Sequence, residues 1–183
     1  MDINESLQRA EQILSTWAPV ALHPSPERVD VSLPDKWLKA AVLALRDAKW
    51  GYLSAITGMD HPGTVEPVTE EQRWQRLENE GENATGGESR EGTLEVLYHF
   101  CEGAAVLTLR VSVRYSFPVL PSICGIIPAA TLYERELSEM FGIAITGSLD
   151  NEHLYLPEGW PANLYPLRKD APLANLEPDP KGL

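Results

Sequence analysis

Three consecutive charged residues, Glu134, Arg135 and Glu136, lie in an otherwise apolar stretch that the sequence predicts to be a helix. Two neighbouring carboxylates are residue types that general acid–base catalysis uses. Residues two apart in a helix, however, point about 200° apart around its axis, so Glu134 and Glu136 cannot act on one substrate atom. This geometry argues against catalysis and leaves two alternatives open: a solvent-exposed charged face, or a charged helix edge held against a partner protein.

A second charged motif lies near the C-terminus, in the segment YPLRKDAPL (residues 165–173). Its prolines favour extended backbone, in which Arg168 and Lys169 project to opposite sides. Arg168 can hold a carboxylate through two parallel hydrogen bonds, whereas a lysine is a mobile point charge. The carboxylate is either Glu134 or Glu136 of the same chain, which the chemistry of the residues favours, or a carboxylate of another subunit.

The other residue types that could bind metals or react show no functional pattern. None of the four histidines lies three or four residues from another histidine or from a cysteine, so a local metal-binding motif is absent. Two cysteines cannot complete a four-cysteine zinc or iron–sulfur site. The sequence also lacks a G-x-S-x-G nucleophile motif and a glycine-rich phosphate loop. It therefore predicts no catalytic residue, cofactor or metal on this chain.

Two elements must position the charged motifs. The first is a helix over residues 129–141, predicted because Gly142 suits a helix end and apolar residues recur on one face: Tyr133, Leu137, Met140 and Phe141. The second is the proline-rich segment 144–183, which has no helical or strand periodicity. Its many apolar residues must lie against the chain's own domain or against a neighbour, which favours an assembly component over a free enzyme.

The rest of the chain alternates helix and strand patterns. An acidic insertion over residues 60–91, with nine acidic residues and three arginines, interrupts this alternation. The order of elements predicts an α+β fold, in which residues 1–143 form a two-layer domain with helices packed on a mostly antiparallel sheet. An extended C-terminal tail, residues 144–183, follows this domain.

Length and composition restrict the class of protein further. The chain has 183 residues and 43% hydrophobic content, enough for one domain with a substantial core. Its formal net charge of −12 argues against binding to nucleic acids or to anionic membranes, both of which require a basic surface. The sequence shows neither a secretory leader nor a run of about 18 apolar residues, so we expect a cytoplasmic protein that does not span the membrane.

Two stretches carry a resemblance to a known family: PAATLYERELSEMFGI (residues 128–143) and YLPEGWPANLYPLRKDAPL (residues 155–173). Together they resemble the 30 kDa subunit family of respiratory complex I, which is the C-type subunit of NADH:quinone oxidoreductase. The same domain occurs in energy-converting, membrane-bound nickel–iron hydrogenases. Tyr165 stands where the complex I form has a histidine, and the spacer after Trp160 is longer. The resemblance is therefore closer to the hydrogenase-type branch.

The resemblance implies a non-catalytic subunit in the hydrophilic arm of a membrane-bound energy-converting redox complex. Its implied partners are a large hydrogenase-like or quinone-site subunit and a small iron–sulfur subunit, and those chains carry the iron–sulfur clusters and the nickel–iron site. The implied location is peripheral, on the cytoplasmic side of the membrane. The alternatives are the C-type subunit of a respiratory NADH:quinone oxidoreductase, and a free-standing soluble enzyme or small-molecule binder.

The resemblance also places the subunit interface on the two signature motifs. The expected interface residues are Tyr133, Glu134, Arg135, Glu136, Phe141, Gly142, Trp160, Tyr165, Pro166, Leu167, Arg168, Lys169 and Asp170.

Overall fold

The computed structural model describes residues 2–18, 20–65, 89–148 and 153–171. Within these ranges the chain forms three α-helices and nine β-strands. The helices are α1 (Ile3–Leu14), α2 (Leu38–Asp47), which follows a 3-10 turn over Asp35–Trp37, and α3 (Ala130–Phe141). The strands are β1 (Ala21–Ser25), β2 (Arg28–Ser32), β3 (Tyr52–His61), β4 (Thr64–Val65), β5 (Ser89–Arg90), β6 (Thr93–Glu102), β7 (Ala105–Arg114), β8 (Val119–Pro121) and β9 (Ala144–Thr146).

Five strands form the main sheet, in the order β1-β2-β7-β6-β3. The pairs β1–β2, β7–β6 and β6–β3 are antiparallel, and β2–β7 is parallel. The parallel pair is possible because α2 and the β3–β6 hairpin separate β2 from β7 in the chain, whereas a short turn joins only antiparallel neighbours. The predicted α+β fold with a mostly antiparallel sheet is confirmed.

The hydrophobic core lies between the helices and one face of this sheet. Leu107, Leu109 and Val111 alternate along β7 and are fully buried in the same cluster as the apolar residues of α1 and α2. Phe141 of α3 packs so closely on Gly58 of β3 that a Cβ at Gly58 would overlap the phenylalanine ring. A glycine in this strand thus allows α3 to approach the sheet closely.

The predicted acidic insertion connects the two strands of a long hairpin. β3 pairs with β6 along its length, from Tyr52 opposite Cys101 to His61 opposite Thr93. The short β4–β5 ladder extends this hairpin beyond the main sheet. Asp60, the first residue of the predicted insertion, therefore belongs to β3. The central part of the insertion, residues 66–88, lies outside the described residues.

A second, parallel two-stranded sheet forms between β8 and β9, which the sequence did not predict. Each strand has three residues, too few to show an alternating pattern. β9 includes the first residues of the predicted tail, and its N–H at Ala144 donates to the carbonyl of Pro118. Farther along the tail, residues 153–171 form turns and bends, with neither helix nor strand. Residues 149–152 and 172–183 of the predicted tail lie outside the described residues.

Three strands of the main sheet are joined by a cross-strand ion network centred on Arg110 of β7. Arg110 donates to Glu95 of β6 at 2.8 and 2.9 Å and to Asp30 of β2 at 3.2 Å. Both carboxylate side chains are nearly buried, at 10% and 2% exposure. Arg28 also pairs with Asp30, and His61 lies 3.1 Å from Glu95. The network therefore neutralises two poorly solvated charges.

Candidate functional site

The helix α3 ends where the sequence predicted, at a glycine with two structural roles. Gly142 has φ 72°, in the left-handed region, and its N–H donates to the carbonyl of Ser138. Glycine adopts this conformation without the steric cost of a Cβ. A Cβ at this position would also overlap the ring of Tyr165, which lies against the end of the helix. Gly142 therefore both ends α3 and makes room for the C-terminal motif.

Glu134, the first carboxylate of the α3 motif, lies inside the chain. It is 1% exposed and accepts hydrogen bonds from the Ser122 hydroxyl and the Ile123 N–H, both at 2.6 Å. Burial raises the pKa of Glu134, and these two hydrogen bonds oppose that effect. In the described chain, Glu134 thus fastens α3 to the turn after β8. This burial also separates it from Glu136, which lies at the partly exposed side of the helix.

Residues 153–171, here called the strap, run along α3 and are held by a carboxylate at each end. At the first end, Glu139 accepts hydrogen bonds from the N–H groups of three successive residues: Leu154 at 3.2 Å, Tyr155 at 3.0 Å and Leu156 at 2.7 Å. The ring Nδ1 of His153 lies 3.0 Å from the same carboxylate. Burial alone would raise the pKa of Glu139, but these hydrogen bonds outweigh it and hold the pKa below its ordinary value.

At the other end, Asp60 of β3 accepts a hydrogen bond from the N–H of Lys169 at 2.6 Å. The Tyr115 hydroxyl, which follows β7, also donates to Asp60. Between the two carboxylates, the N–H of Leu167 donates to the carbonyl of Met140 near the end of α3, at 3.1 Å. The strap is thus fastened to both the helix and the sheet.

Arg168 also packs inward. Its guanidinium donates to Asp170 at 3.0 and 3.2 Å and lies 4.2 Å from the centre of the Tyr115 ring. The expected pairing with Glu134 or Glu136 within the chain is therefore wrong. Consecutive turns replace the extended backbone that the prediction assumed. The N–H of Arg168 donates to the carbonyl of Tyr165, and the N–H of Ala171 donates to the carbonyl of Arg168. These turns bring Asp170 back to the guanidinium.

Other predicted interface residues support the same arrangement. The Tyr133 hydroxyl donates to the carbonyl of Ser54 on β3 at 3.1 Å. Arg135 donates to the carbonyl of His153 at 3.1 Å. The Trp160 indole N–H donates to the carbonyl of Leu164 at 2.8 Å and closes a loop within the strap. These three bonds fasten α3 to β3, α3 to the strap, and the strap to itself.

The remaining predicted interface residues lie partly in the interior and partly on the surface. Phe141 is buried in the core, and Tyr165, Pro166 and Glu136 are partly buried. The side chains of Lys169 and Asp170 are exposed. Three apolar side chains on α3 and the strap are more than half exposed: Leu132 at 58%, Tyr155 at 63% and Leu167 at 52%. These three residues are called the outward apolar residues below.

Asp60 and Glu139 belong to the site, although the sequence did not predict a role for them there. Asp60 lies 109 residues from Lys169 in the chain, and both carboxylates bind backbone N–H groups. Every residue except proline carries such a group, so the residue types give no sign of these contacts. The acidic character of the two residues was visible in the sequence, but their partners were not.

Replacing Gly142 with alanine should loosen the strap. The added Cβ both strains the left-handed backbone, by about 1–2 kcal/mol, and overlaps the Tyr165 ring. We expect a loss of about 2–3 kcal/mol in the free energy of unfolding, measured by urea denaturation. Gly103 is a matched control, because its φ is also positive, at 61°, while a Cβ there would meet no atom within 4 Å. Equal losses in the two variants would show that contact with the strap contributes nothing.

The described residues show neither a metal-binding cluster nor a membrane-spanning helix. They contain no group of three or more histidine, cysteine, aspartate or glutamate side chains placed to hold a metal ion. Across the same ranges, no helix is both long enough and apolar enough to cross a membrane. Within the part of the chain that the structure describes, the contact between α3 and the strap is the feature that unites the sequence motifs.

Comparison with known proteins places these motifs within a broader match. Residues 31–177 match the family model described as the respiratory-chain NADH dehydrogenase 30 kDa subunit. The chain is 41% identical over 86 residues to the C subunit of NADH-quinone oxidoreductase from Roseiflexus sp. (strain RS-1), covering 46% of this chain and 48% of that protein. It is 45% identical over 65 residues to formate hydrogenlyase subunit 5 of Escherichia coli (strain K12), covering 36% of this chain and 11% of that protein.

A solved structure supports the fold. A chain of the membrane-bound sulfane sulfur reductase, an archaeal respiratory membrane complex, superimposes with a TM-score of 0.55 and 19% sequence identity. The superposition covers 91% of this chain and 85% of the other. By contrast, the sequence match spans less than half the length of each of the two curated relatives named above.

Proposed function

The chain belongs to the 30 kDa subunit family of the respiratory-chain NADH dehydrogenase, and from that premise we propose that it is a non-catalytic subunit of a membrane-bound, energy-converting redox complex. It docks on the large catalytic subunit and lies near a small iron–sulfur subunit. Iron–sulfur clusters and a nickel–iron site belong to those partners. The subunit sits peripherally on the cytoplasmic side of the membrane. Family membership is the observation that carries this proposal.

The relatives support docking on a large subunit. In formate hydrogenlyase subunit 5, the matched stretch makes up 11% of a much longer chain, whereas in the Roseiflexus protein it makes up about half. The same kind of domain therefore exists both as part of a large chain and as part of a small one. Contacts between domains of one chain resemble those between subunits. A domain of this family that belongs to a small chain is therefore suited to bind a counterpart of the larger chain.

The geometry supports α3 and the strap as the docking surface. The outward apolar residues, Leu132, Tyr155 and Leu167, are more than half exposed, whereas Glu134, Glu139 and Arg168 form hydrogen bonds within the chain. Aromatic and apolar side chains are enriched at the centres of protein interfaces, from which charges are depleted. We infer that these three side chains contact the large subunit, and that the buried motif residues act by holding α3 and the strap in place.

The hydrogenase type is the favoured form of the complex. In the sequence resemblance, Tyr165 stands where the complex I form has a histidine. The Tyr165 ring packs against Gly142 at the end of α3. The relative that is a formate hydrogenlyase subunit has the higher identity over its matched stretch, 45% against 41%. The second candidate is the C-type subunit of an NADH:quinone oxidoreductase, which the longer match to the Roseiflexus protein favours.

Affinity purification from the native membranes, with an affinity tag on this chain, tests the proposal. We expect a large subunit and a small iron–sulfur subunit to co-purify, and we expect the complex to reduce a viologen dye with hydrogen. A complex that instead reduces quinone with NADH would establish the second candidate. Recovery of the chain without partners, under conditions that keep other membrane complexes intact, would contradict a role as a subunit.

A further inference from the structure

We propose that the strap, residues 153–171, is folded in its docking conformation before any partner binds, and that Asp60 and Glu139 are the positioning residues that hold it. The proposal deepens the proposed function and rests on it for the identity of what docks. In this arrangement Asp60 and Glu139 hold the strap in place, and the outward apolar residues contact the partner.

Glu139 fixes the backbone curvature at the first end of the strap. One nearly buried carboxylate, 8% exposed, accepts from three successive N–H groups, those of Leu154, Tyr155 and Leu156. Three such donors converge on one acceptor only when the backbone curves around it, as in the backbone nests that bind anions. Tyr155 lies at the centre of this curve, and its side chain is 63% exposed.

The Asp60 end fixes the strap's position on a different element. Asp60 belongs to β3 and is 7% exposed, and it accepts from the N–H of Lys169. The neighbouring residues Leu167 and Arg168 are fastened to the Met140 carbonyl and the Tyr115 ring. With both ends held, the Leu167 side chain remains 52% exposed. All of these contacts are made within this chain.

A preformed strap lowers the loss of conformational entropy that accompanies binding. A disordered segment that folds on a partner loses conformational entropy at that moment, and this loss weakens association. A segment already held in its bound conformation avoids most of that loss. Removing either carboxylate should therefore weaken docking, although neither side chain would touch the partner. An effect of that kind distinguishes positioning residues from contact residues.

Hydrogen exchange of the isolated chain tests the preformed strap without any partner. We expect the amides of Leu154, Leu156 and Lys169 to be protected in the wild type. Glu139→Gln should speed exchange of the first two by about 10- to 100-fold, and Asp60→Asn should do the same for Lys169, while β6 and β7 amides keep their rates. Glu158→Gln, which removes an exposed carboxylate of the same strap, should leave all of these rates unchanged.

Three results would overturn the proposal. The first is exchange of the wild-type strap amides at the rates of an unfolded peptide. The second is equal protection in the wild type and Glu139→Gln. The third is faster exchange throughout β6 and β7 in Glu139→Gln, which would show a general structural role. The measurement on wild-type protein needs no variant, so it decides the first point even if a variant does not fold.

A binding measurement with the co-expressed large subunit tests the link to docking. Glu139→Gln and Asp60→Asn should each reduce recovery of the large subunit, and Glu158→Gln should not. Full recovery of the large subunit with both Glu139→Gln and Asp60→Asn would overturn the positioning role. If even the wild-type chain recovers no large subunit, the proposed function fails. The exchange result on the isolated chain then still shows whether the strap is preformed.

Discussion

Replacing Arg110 with methionine should lower the free energy of unfolding by about 2–4 kcal/mol. The substitution keeps an apolar stem but removes the guanidinium that donates to Glu95 and Asp30. Both carboxylate side chains are at most 10% exposed, and an unpaired charge in such a position is poorly solvated. Arg28 and His61 retain part of the pairing, which limits the loss. Urea denaturation followed by circular dichroism measures it.

Arg46→Met is the matched control. Arg46 pairs with Asp47, but the two side chains are 49% and 62% exposed, and exposed ion pairs contribute little. We expect this variant to remain within about 0.5 kcal/mol of the wild type. Similar stability losses in the Arg46 and Arg110 variants would contradict the importance of the cross-strand network.

The same network predicts a dependence of stability on pH. Hydrogen bonds from Arg110 hold the pKa of Glu95 below its ordinary value, despite the opposing effect of burial. The carboxylate therefore contributes stability above its unfolded pKa, and this contribution is lost as the pH falls through the lower folded pKa. The wild type should accordingly lose more stability on acidification than Arg110→Met. Plotted against pH, the free energies of unfolding of the two proteins should approach each other as the pH falls. Parallel curves would contradict this assignment.

The largest effect on assembly is expected from the double substitution Tyr155→Asp and Leu167→Asp. Both side chains are more than half exposed in the chain, so its fold should remain intact. Within an interface, two desolvated carboxylates without partners should weaken association with the large subunit by about 100-fold or more, or roughly 3 kcal/mol. Co-purification of the large subunit at graded concentrations provides the measurement.

The matched control places the same two charges elsewhere. Leu43 on α2 and Phe117 after β7 are also exposed, at 39% and 71%, but they lie outside α3 and the strap. The double variant Leu43→Asp and Phe117→Asp should retain the large subunit. If both double variants lost it equally, the effect would be one of general charge rather than of a docking surface.

The sequence contained enough information to predict the main elements, because their signals are local. The alternation of Leu107, Leu109 and Val111 predicts a strand, and the apolar spacing that ends at Gly142 predicts α3. The structure confirms both. β8 and β9 were missed because three-residue strands are stabilised by their pairing with each other and carry no periodic pattern of their own.

The site could be predicted only in part, because its partners are mostly backbone groups. The two signature motifs do meet, and Gly142 with Tyr165 forms the contact between them. The pairing of Arg168 was missed because local turns bring it to Asp170. The roles of Asp60 and Glu139 depend on N–H groups placed by the fold, and these groups leave no trace in residue types.

Site-specific photo-crosslinking in the assembled complex tests the central claim, that α3 and the strap lie against a partner subunit. A photoreactive amino acid replaces Leu167 in one variant and Leu43 in the other, since both positions are exposed in the chain. We predict that the Leu167 variant forms a covalent product with the large subunit and that the Leu43 variant does not. A Leu167 variant that remains uncrosslinked within an intact complex, while Leu43 crosslinks to the large subunit, would contradict the account.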